Sequence, residues 1–260
     1  MADIPSFTTY LNNTTLSEKT KEAYLNSLKH YNKYFDEVTT ENVNKYKSIC
    51  LQFHKPSTIN LRLHALRFYA NSQNIEVGIK YIKVQEPIFS ESILTRKDFD
   101  KLISYLINKK EYDWYVLFRV LASTGLRLHE SKQVLLKDLK QGRKTILGKG
   151  TKTRVIWFPY QMREDISPLL KNANLEASVL SHDVSYVRAK LKKLKKKLKL
   201  KSNLTPHEFR RFYAREVYNK TKDLYLVKDL LGHASVKTTS RYLKTTVTSV
   251  SRKMSKIVDW

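Results

Sequence analysis

Apolar residues in the first 84 positions recur every three or four residues, and polar stretches separate the repeats. Positions with that spacing lie on one face of an α-helix. The spacing predicts short helices, one beginning near Ser17 and another that Ser57 caps after Pro56. The marking positions are Tyr24, Leu28, Tyr31 and Phe35; Val43, Tyr46 and Cys50; and Ile59, Leu63, Leu66 and Tyr69 or Ala70. We interpret the aromatic residues as core rather than as a base-stacking platform, so residues 1–84 form a small helical domain.

The helical spacing stops between residues 85 and 94, where Pro87 interrupts the chain, and we interpret this segment as an interdomain linker. Thr95 then offers a cap for a new helix. Residues 113–123 are rich in apolar side chains, which predicts a helix in the core of a second domain, residues 95–260.

Two stretches of the second domain favour β-strands, residues 144–147 and 153–158, and the glycine-containing residues 148–152 between them favour a hairpin turn. Further helices are expected near residues 161–172 and 183–200. The pattern therefore predicts a mainly α fold with a small antiparallel β-sheet, in two domains.

Charge is unevenly distributed along the chain. The formal net charge is +25; residues 1–92 carry 11 Lys/Arg and 9 Asp/Glu, whereas residues 93–260 carry 38 and 15. An excess of this size and sign favours a polyanionic partner such as nucleic acid.

Several classes of protein are excluded by what the sequence contains. Cys50 is the single cysteine, which rules out a disulfide framework and is typical of a core thiol. The sequence has no His-Glu-x-x-His pattern, so we expect chemistry without a metal or other cofactor. No apolar run approaches the roughly 18–20 residues that span a bilayer, and the first residues lack the character of a secretory signal. We expect a soluble cytoplasmic protein without a membrane partner.

Residues 187–201 hold nine Lys/Arg and no acid, with leucines at helical spacing. A membrane-surface helix and a merely solvated face are alternatives. In a basic domain we favour contacts with the backbone of duplex DNA. The candidate contacts are Lys192, Lys193, Lys195, Lys196 and Lys197.

His207 and Arg210 follow a strong helix start, in which Thr205 is a cap and Pro206 occupies the first helical position. Residues three apart share a helix face, and the amides at a helix N-terminus attract anions. An arginine also meets phosphate oxygens through a planar fork. The segment indicates a phosphate site, with a surface histidine and a solvated arginine as the alternative.

Two shorter motifs carry further candidates. Arg127 follows the Gly125 break after an apolar helix, and a basic residue that balances the helix dipole is the alternative. Glu130 lies close enough to orient a neighbouring arginine or histidine. Lys149, at the hairpin tip, has the reach to donate a proton to a leaving 5′ oxygen if nearby positive charge lowers its pKa. Lys152 is the rival for that role, and a plain backbone contact is the alternative for both.

His233 lies at the joint between two C-terminal helices, after Gly232 and before the capping Ser235, and Tyr242 follows nine residues later. A tyrosine hydroxyl ionises only near pH ~10 and is a poor nucleophile unless neighbouring groups stabilise the developing charge. A buried core tyrosine is the alternative, because the chain has 16 tyrosines.

In identity, order and spacing, five motifs together resemble the active site of the tyrosine recombinase (phage integrase) family. They are Thr124-Gly125-Leu126-Arg127, Gly148-Lys149-Gly150, His207-Glu208-Phe209-Arg210, Leu231-Gly232-His233 and Tyr242. The resemblance implies a helical core-binding domain before a catalytic domain, the pair clamping double-stranded DNA. It implies that Arg127 and Arg210 hold the scissile phosphate, that Lys149 is the general acid and that His207 is an acid/base. It implies that His233 hydrogen-bonds the phosphate, that Tyr242 forms a 3′-phosphotyrosyl bond, and that Glu130 fills the family's acidic position.

The same resemblance implies a homotetramer on two duplexes, with residues 245–260 docking on a neighbouring protomer and accessory proteins left open. Two positions depart from the family pattern: Arg211, which we add to the DNA-backbone contacts, replaces a common second histidine, and His129 replaces a small residue. The sequence thus predicts a site-specific recombinase, Xer-like and without an arm-binding domain, for mobile-element integration and excision or for chromosome dimer resolution. A type IB topoisomerase and a non-cleaving DNA-binding regulator are the alternatives.

Overall fold

The computed structural model describes residues 2–84, 93–148, 153–240 and Tyr242. The chain divides into two compact units, residues 1–86 and 87–260. The described part of the predicted linker, residues 85–94, is Ile93 and Leu94. Leu94 is fully buried and packs in the hydrophobic core of the second unit.

Within residues 2–84 the first unit contains four helices. They are α1 (Ile4–Asn12), α2 (Glu18–Tyr31), α3 (Thr40–Phe53) and α4 (Pro56–Ser72). Helix α2 begins near Ser17 as predicted, and the Ser17 side chain caps it by accepting from the amide of Thr20. The predicted Ser57 cap is wrong. Lys55 is the capping position of α4, since Pro56 is pre-organised for the first helical turn, where its missing N–H has no intrahelical partner.

The first core is apolar and aromatic, which confirms the interpretation of the helix faces. Tyr31 and Tyr46 are buried with rings 5.0 Å apart, and Cys50 is buried beside them. Phe35 packs against this core from beyond the end of α2. Sequence analysis did not identify α1, whose Phe7 and Leu11 are fully buried in the same core.

The described ranges of the second unit are mainly helical around one hairpin. The helices are α5 (Arg96–Asn108), α6 (Tyr112–Thr124), α7 (Leu136–Gln141), α8 (Tyr160–Ile166), α9 (Val184–Lys197), α10 (Pro206–Thr221), α11 (Leu224–Leu231) and α12 (Val236–Ser240). Short 3₁₀ helices span Glu130–Gln133 and Ser167–Leu170. Thr95 and Thr205 cap α5 and α10 as predicted.

The predicted strands form an antiparallel pair, β1 (Arg143–Leu147) and β2 (Thr153–Trp157). Arg143 pairs with Trp157 at the open end and Leu147 with Thr153 at the end nearest the turn. Ile146 and Ile156 are buried and point into the core of the second unit. Of the predicted turn, residues 149–152 lie outside the described residues.

Two predicted helices are too long. The helix expected at 161–172 ends at Ile166, because Pro168 lacks the N–H that an α-helix requires there. The helix expected at 183–200 ends at Lys197, and Lys199 takes a left-handed backbone conformation with φ 48°. The leucine stripe is confirmed, since Leu191 and Leu194 are buried. None of the helices in the described ranges combines the length and apolar character needed to cross a bilayer.

Candidate active site

Tyr242 packs against α10 and α11 of the second unit. Its ring packs beside a small apolar cluster formed by Ala214, Val227 and Leu231. The ring centre is 5.0 Å from that of His207 and 4.8 Å from that of His233. Helices α10 and α11 thus bring both candidate histidines to the candidate nucleophile.

Arg210 is the largest fully buried side chain in the described residues, with 1% of its surface exposed. Its Nη1 donates to the carbonyl of Gly125 at 2.5 Å and its Nη2 to the carbonyl of Leu231 at 2.6 Å. Burial, followed by the charge of Arg127, lowers its pKa to about 10. The guanidinium therefore remains charged at neutral pH, 6.0 Å from the centre of the Tyr242 ring.

Gly125 makes the approach of Arg210 possible. It ends α6 in the left-handed conformation with φ 65°, where glycine has no steric penalty. A Cβ atom there would lie 2.5 Å from the ring of Tyr213 and 2.8 Å from Leu231. The glycine thus lets its carbonyl reach Arg210 and leads the chain directly to Arg127.

Glu130 connects Arg127 to strand β2. Its buried carboxylate accepts from Nη1 and the backbone amide of Arg127, both at 2.8 Å. It also accepts from Nη1 of Arg154 at 3.0 Å and from Nη2 at 2.6 Å. Burial opposes ionisation, but the bonds from Arg154 and Arg127 outweigh it and lower the pKa of Glu130 to about 2. Glu130 thus contacts two arginines, Arg127 and Arg154.

His207 occupies the first turn of α10 and is exposed. The atoms packed around its ring, and then the charges of Arg211, Arg210 and Arg127, lower its pKa to about 4. The imidazole is therefore neutral at pH 7. Arg211 donates to Glu208 at 2.8 Å and lies 6.0 Å from the Tyr242 ring, so it adds a cation at the same site.

His233 is buried, and its Nδ1 is 2.9 Å from the hydroxyl of Thr239 on α12. Its Nε2 has no hydrogen-bond partner among the described residues. Burial and the charges of Arg210, Arg127 and Arg154 lower its pKa to about 4. In the tautomer that carries its proton on Nε2, Nδ1 accepts from the Thr239 hydroxyl and Nε2 can donate to a bound anion.

A cavity of about 250 Å³ opens beside these groups. Arg127, Arg154 and His233 line it, together with Gly148 at the start of the hairpin turn and Gly232. Cationic and hydrogen-bond-donating groups on one wall are what a phosphate requires.

The structure brings together five of the predicted catalytic residues: Arg127, His207, Arg210, His233 and Tyr242. Lys149 and Lys152 lie outside the described residues. The candidate DNA-backbone lysines lie on α9, where Lys192, Lys193, Lys196 and Lys197 are exposed and Lys195 donates to Asn203 at 2.7 Å.

Two polar partners in the cluster were missed by sequence analysis. Arg154 bonds to Glu130, and Thr239 bonds to His233. The signal for Arg154 was its position in β2, two residues before the buried Ile156 and therefore on the same face of the strand. An arginine on the core-facing side of a strand needs a buried partner. Thr239 had no comparable signal.

Comparisons with known proteins agree with this geometry. The profile of the "Phage integrase family" matches residues 92–248. The tyrosine recombinase XerA of Thermococcus kodakarensis is 24% identical over 97% of this chain and 94% of its own length.

Two solved structures share the fold. The Tn1549 transposon integrase in complex with transposon right end DNA is 14% identical and covers 100% of both chains, with a TM-score of 0.75. A lambda integrase tetramer bound to a Holliday junction is 17% identical, covers 92% of this chain and 75% of its own, and has a TM-score of 0.73.

Proposed function

The chain belongs to the phage integrase family of tyrosine recombinases, and on that premise we propose that it exchanges DNA strands at specific sites through a covalent 3′-phosphotyrosyl intermediate on Tyr242. The phosphotyrosyl bond conserves the energy of the broken phosphodiester, so the exchange needs no ATP or cofactor. Attack by the 5′ hydroxyl of the same strand reseals the DNA, and attack by a 5′ hydroxyl of a second duplex recombines it.

The observation that carries this proposal is the convergence of four cationic or imidazole groups on one tyrosine. The rings of His207 and His233 lie 5.0 Å and 4.8 Å from that of Tyr242, and the guanidinium of Arg210 lies 6.0 Å away. Arg127 is close enough for its charge to lower the pKa of both histidines. Arg127 precedes Tyr242 by 115 residues in the sequence. A merely structural tyrosine does not require such a convergence.

The two arginines supply the charge that phosphoryl transfer needs. The pentacoordinate transition state gathers negative charge on the non-bridging oxygens, and fixed donors that meet it more strongly than the ground state accelerate the reaction. Arg210 is held rigidly by two carbonyl groups. Arg127 is held by Glu130 yet keeps 32% of its side chain exposed, so it can reach a bound phosphate.

Proton transfer divides between the imidazoles and the hairpin lysine. His207 is neutral at pH 7 because its pKa is about 4, so in the cleavage step it accepts the proton of the Tyr242 hydroxyl or orients it by a hydrogen bond. His233 donates from Nε2 to a phosphate oxygen. Lys149 protonates the leaving 5′ oxygen, and Lys152 remains the rival for that role.

The assembly that we propose is a homotetramer on two double-stranded DNA molecules in the cytoplasm. The lambda integrase tetramer on a Holliday junction supports it, because that protein shares the fold. Residues 1–84 serve as the core-binding half of the clamp, residues 95–260 as the catalytic half, and residues 245–260 dock on a neighbouring protomer. The lysines of α9 and Arg211 contact the DNA backbone. The relatives are recombinases and integrases, so the topoisomerase and regulator alternatives gain no support.

The test is covalent capture of DNA. Wild-type protein, Tyr242→Phe and the matched control Tyr225→Phe, which alters an exposed tyrosine on α11, are incubated with sheared DNA from the source cell and then denatured. The retained ends are sequenced. We expect adducts clustered at one locus for wild type and Tyr225→Phe, and none for Tyr242→Phe.

Three other outcomes would contradict the proposal. Scattered adducts would favour a topoisomerase. Adducts of wild-type yield from Tyr242→Phe would move the nucleophile elsewhere. An absence of adducts from wild type, also on a nicked substrate that blocks religation, would favour a non-cleaving DNA-binding protein.

A further inference from the structure

Glu130 presents a problem of charge at the centre of the site. Its side chain has no exposed surface, and it forms two hydrogen bonds with Arg127, to which we assign phosphate binding. A carboxylate paired with one arginine cancels that arginine's charge. If Glu130 and Arg127 stood alone, the pair would offer a phosphate little net attraction.

Arg154 supplies a second positive charge that balances Glu130. It lies on β2 with 10% of its side chain exposed, and both of its terminal nitrogens bond to the two oxygens of Glu130. The three groups together carry one net positive charge. Of the three, Arg127 and Arg154 line the cavity, together with His233, Gly148 and the acidic Asp229. The charges of both arginines therefore lie where an anion would enter.

The surroundings hold Arg154 in this orientation. A Cβ atom on Gly232 would lie 2.8 Å from Cδ of Arg154, so the glycine leaves the space that the arginine stem occupies. The bidentate geometry matches a planar guanidinium and cannot be reproduced by a lysine. Arg154 also lies two residues after Lys152. Its bond to Glu130 therefore connects the start of β2 to the segment that carries Arg127.

We propose that Arg154 is a positioning residue for DNA cleavage, an inference that rests on the proposed function. By pairing with Glu130, Arg154 prevents that carboxylate from cancelling the charge of Arg127, which stays oriented toward the scissile phosphate. Arg154 itself points at Glu130 through both terminal nitrogens, so it acts through Arg127 rather than on the phosphate. Glu130 then orients Arg127 without cancelling it.

The first measurement compares single-turnover cleavage rates on a nicked DNA substrate that traps the covalent adduct. Arg154→Gln is expected to slow cleavage on the order of 100-fold, the scale of a misplaced catalytic group, while DNA affinity changes little. The matched control is Arg143→Gln, because Arg143 lies on the other strand of the same hairpin, over the ring of Trp157. This control should cleave like wild type, and an equal loss in both variants would overturn the proposal.

A second variant separates charge balance from a structural role. Glu130→Gln in the Arg154→Gln background removes the negative charge that cancels Arg127, while the amide oxygen can still accept a hydrogen bond that orients Arg127. The double variant should therefore cleave about 10-fold faster than Arg154→Gln alone. A structural role predicts the opposite, because two lost ion-pair partners leave the segment less ordered than one. A double variant as slow as Arg154→Gln, or slower, would therefore contradict the proposal.

Arg154→Lys keeps the experiment decisive if Arg154→Gln does not fold. The lysine retains the charge but loses the bidentate contact, so its cleavage rate should fall by about 10-fold. A lysine variant that folds, judged by its thermal unfolding, and cleaves 100-fold more slowly than wild type would overturn the charge argument. An absence of adduct from wild type would be a failure of the proposed function, whereas normal cleavage by Arg154→Gln would be a failure of this inference alone.

Discussion

The two units of the chain bury different kinds of residue. In the described part of the first unit, Ser27 is the one buried polar side chain, and the rest of the core is apolar or aromatic. The second unit buries Glu130, Glu208, Arg210 and His233 in addition to its apolar core. Burying charge is costly unless it is paired and hydrogen-bonded, and such groups concentrate at functional sites. The difference teaches that the first unit is built for stability and the second is organised around a reaction.

The contacts that form the two regions also differ in range. The core of the first unit follows from helix faces that the local spacing already defines. The site depends on bonds between distant segments, such as the bond of Arg210 to Gly125 across 85 residues. A substitution at the site should therefore affect catalysis more than one in the first core.

The largest expected effect follows from Arg210→Lys. A lysine cannot bond to both carbonyl groups and still present charge at the phosphate, so cleavage should fall by roughly 100- to 1,000-fold. The measurement is the rate of adduct formation in a single turnover. Arg188→Lys is the matched control, because Arg188 is exposed on α9. If Arg210→Lys cleaved within threefold of the control, Arg210 would not contact the transition state.

Leu63→Ala tests whether the core of the first unit determines stability rather than catalysis. Leu63 is fully buried in the first core, and its truncation should lower the free energy of unfolding by about 2–5 kcal/mol. Leu61→Ala, on the exposed side of the same helix, should cost less than ~0.5 kcal/mol. Denaturant titration measures both. Below the unfolding transition the two variants should cleave equally fast, and a slower Leu63→Ala would show that the first core contributes to catalysis.

The next largest effect is on stability, and it compares one glycine from each unit. Gly125→Ala places a Cβ 2.5 Å from Tyr213 at a φ of 65°, and it should destabilise the protein by about 1–3 kcal/mol. Gly78→Ala in the first unit meets Thr40 at 3.4 Å without a positive φ, so it should change stability by less than ~1 kcal/mol. Thermal unfolding compares them, and equal losses would mean that the Arg210 contact with residue 125 is not geometrically demanding.

The smallest effect is the dependence of stability on pH. Folding lowers the pKa of His207 and His233 from 6.5 to about 4, so between those values the unfolded chain binds protons that the folded chain does not. Stability is therefore complete above about pH 6.5 and decreases as the pH falls toward 4. Burial, followed by the charge of Arg62, also lowers the pKa of His30 in the first unit.

Unfolding temperatures measured from pH 4 to pH 7 test this pH dependence. The slope should flatten in His233→Gln and to a smaller extent in His30→Gln, whose ring lies in the first unit. If the unfolding temperature of His233→Gln changed more steeply with pH than that of wild type, the pKa of His233 would not be lowered by folding.

The sequence predicted the parts of the fold that depend on neighbouring residues. The start of α2 near Ser17, the caps at Thr95 and Thr205 and the hairpin of β1 and β2 follow from local chemistry. Helix α1 was missed because its short apolar face gains stability from the core around Tyr69, whose hydroxyl accepts from the amide of Asp3.

The site was predictable only as a set of motifs. The motifs identified Arg127, His207, Arg210, His233 and Tyr242, but the sequence could not show which groups would bond to one another. Arg154 illustrates the limit: its role depends on Glu130, 24 residues earlier, and the pairing arises only when the hairpin folds against that segment. The role of Lys149, and of its rival Lys152, remains a prediction.

Identification of the DNA-linked peptide tests the central claim most directly. Wild-type adduct trapped on a nicked substrate would be digested with protease and nuclease, and the modified residue would be located by mass spectrometry. We predict a phosphodiester-linked nucleotide on Tyr242. A nucleotide on another residue, such as Tyr213 or Tyr218 in the same apolar cluster, would contradict the proposed mechanism.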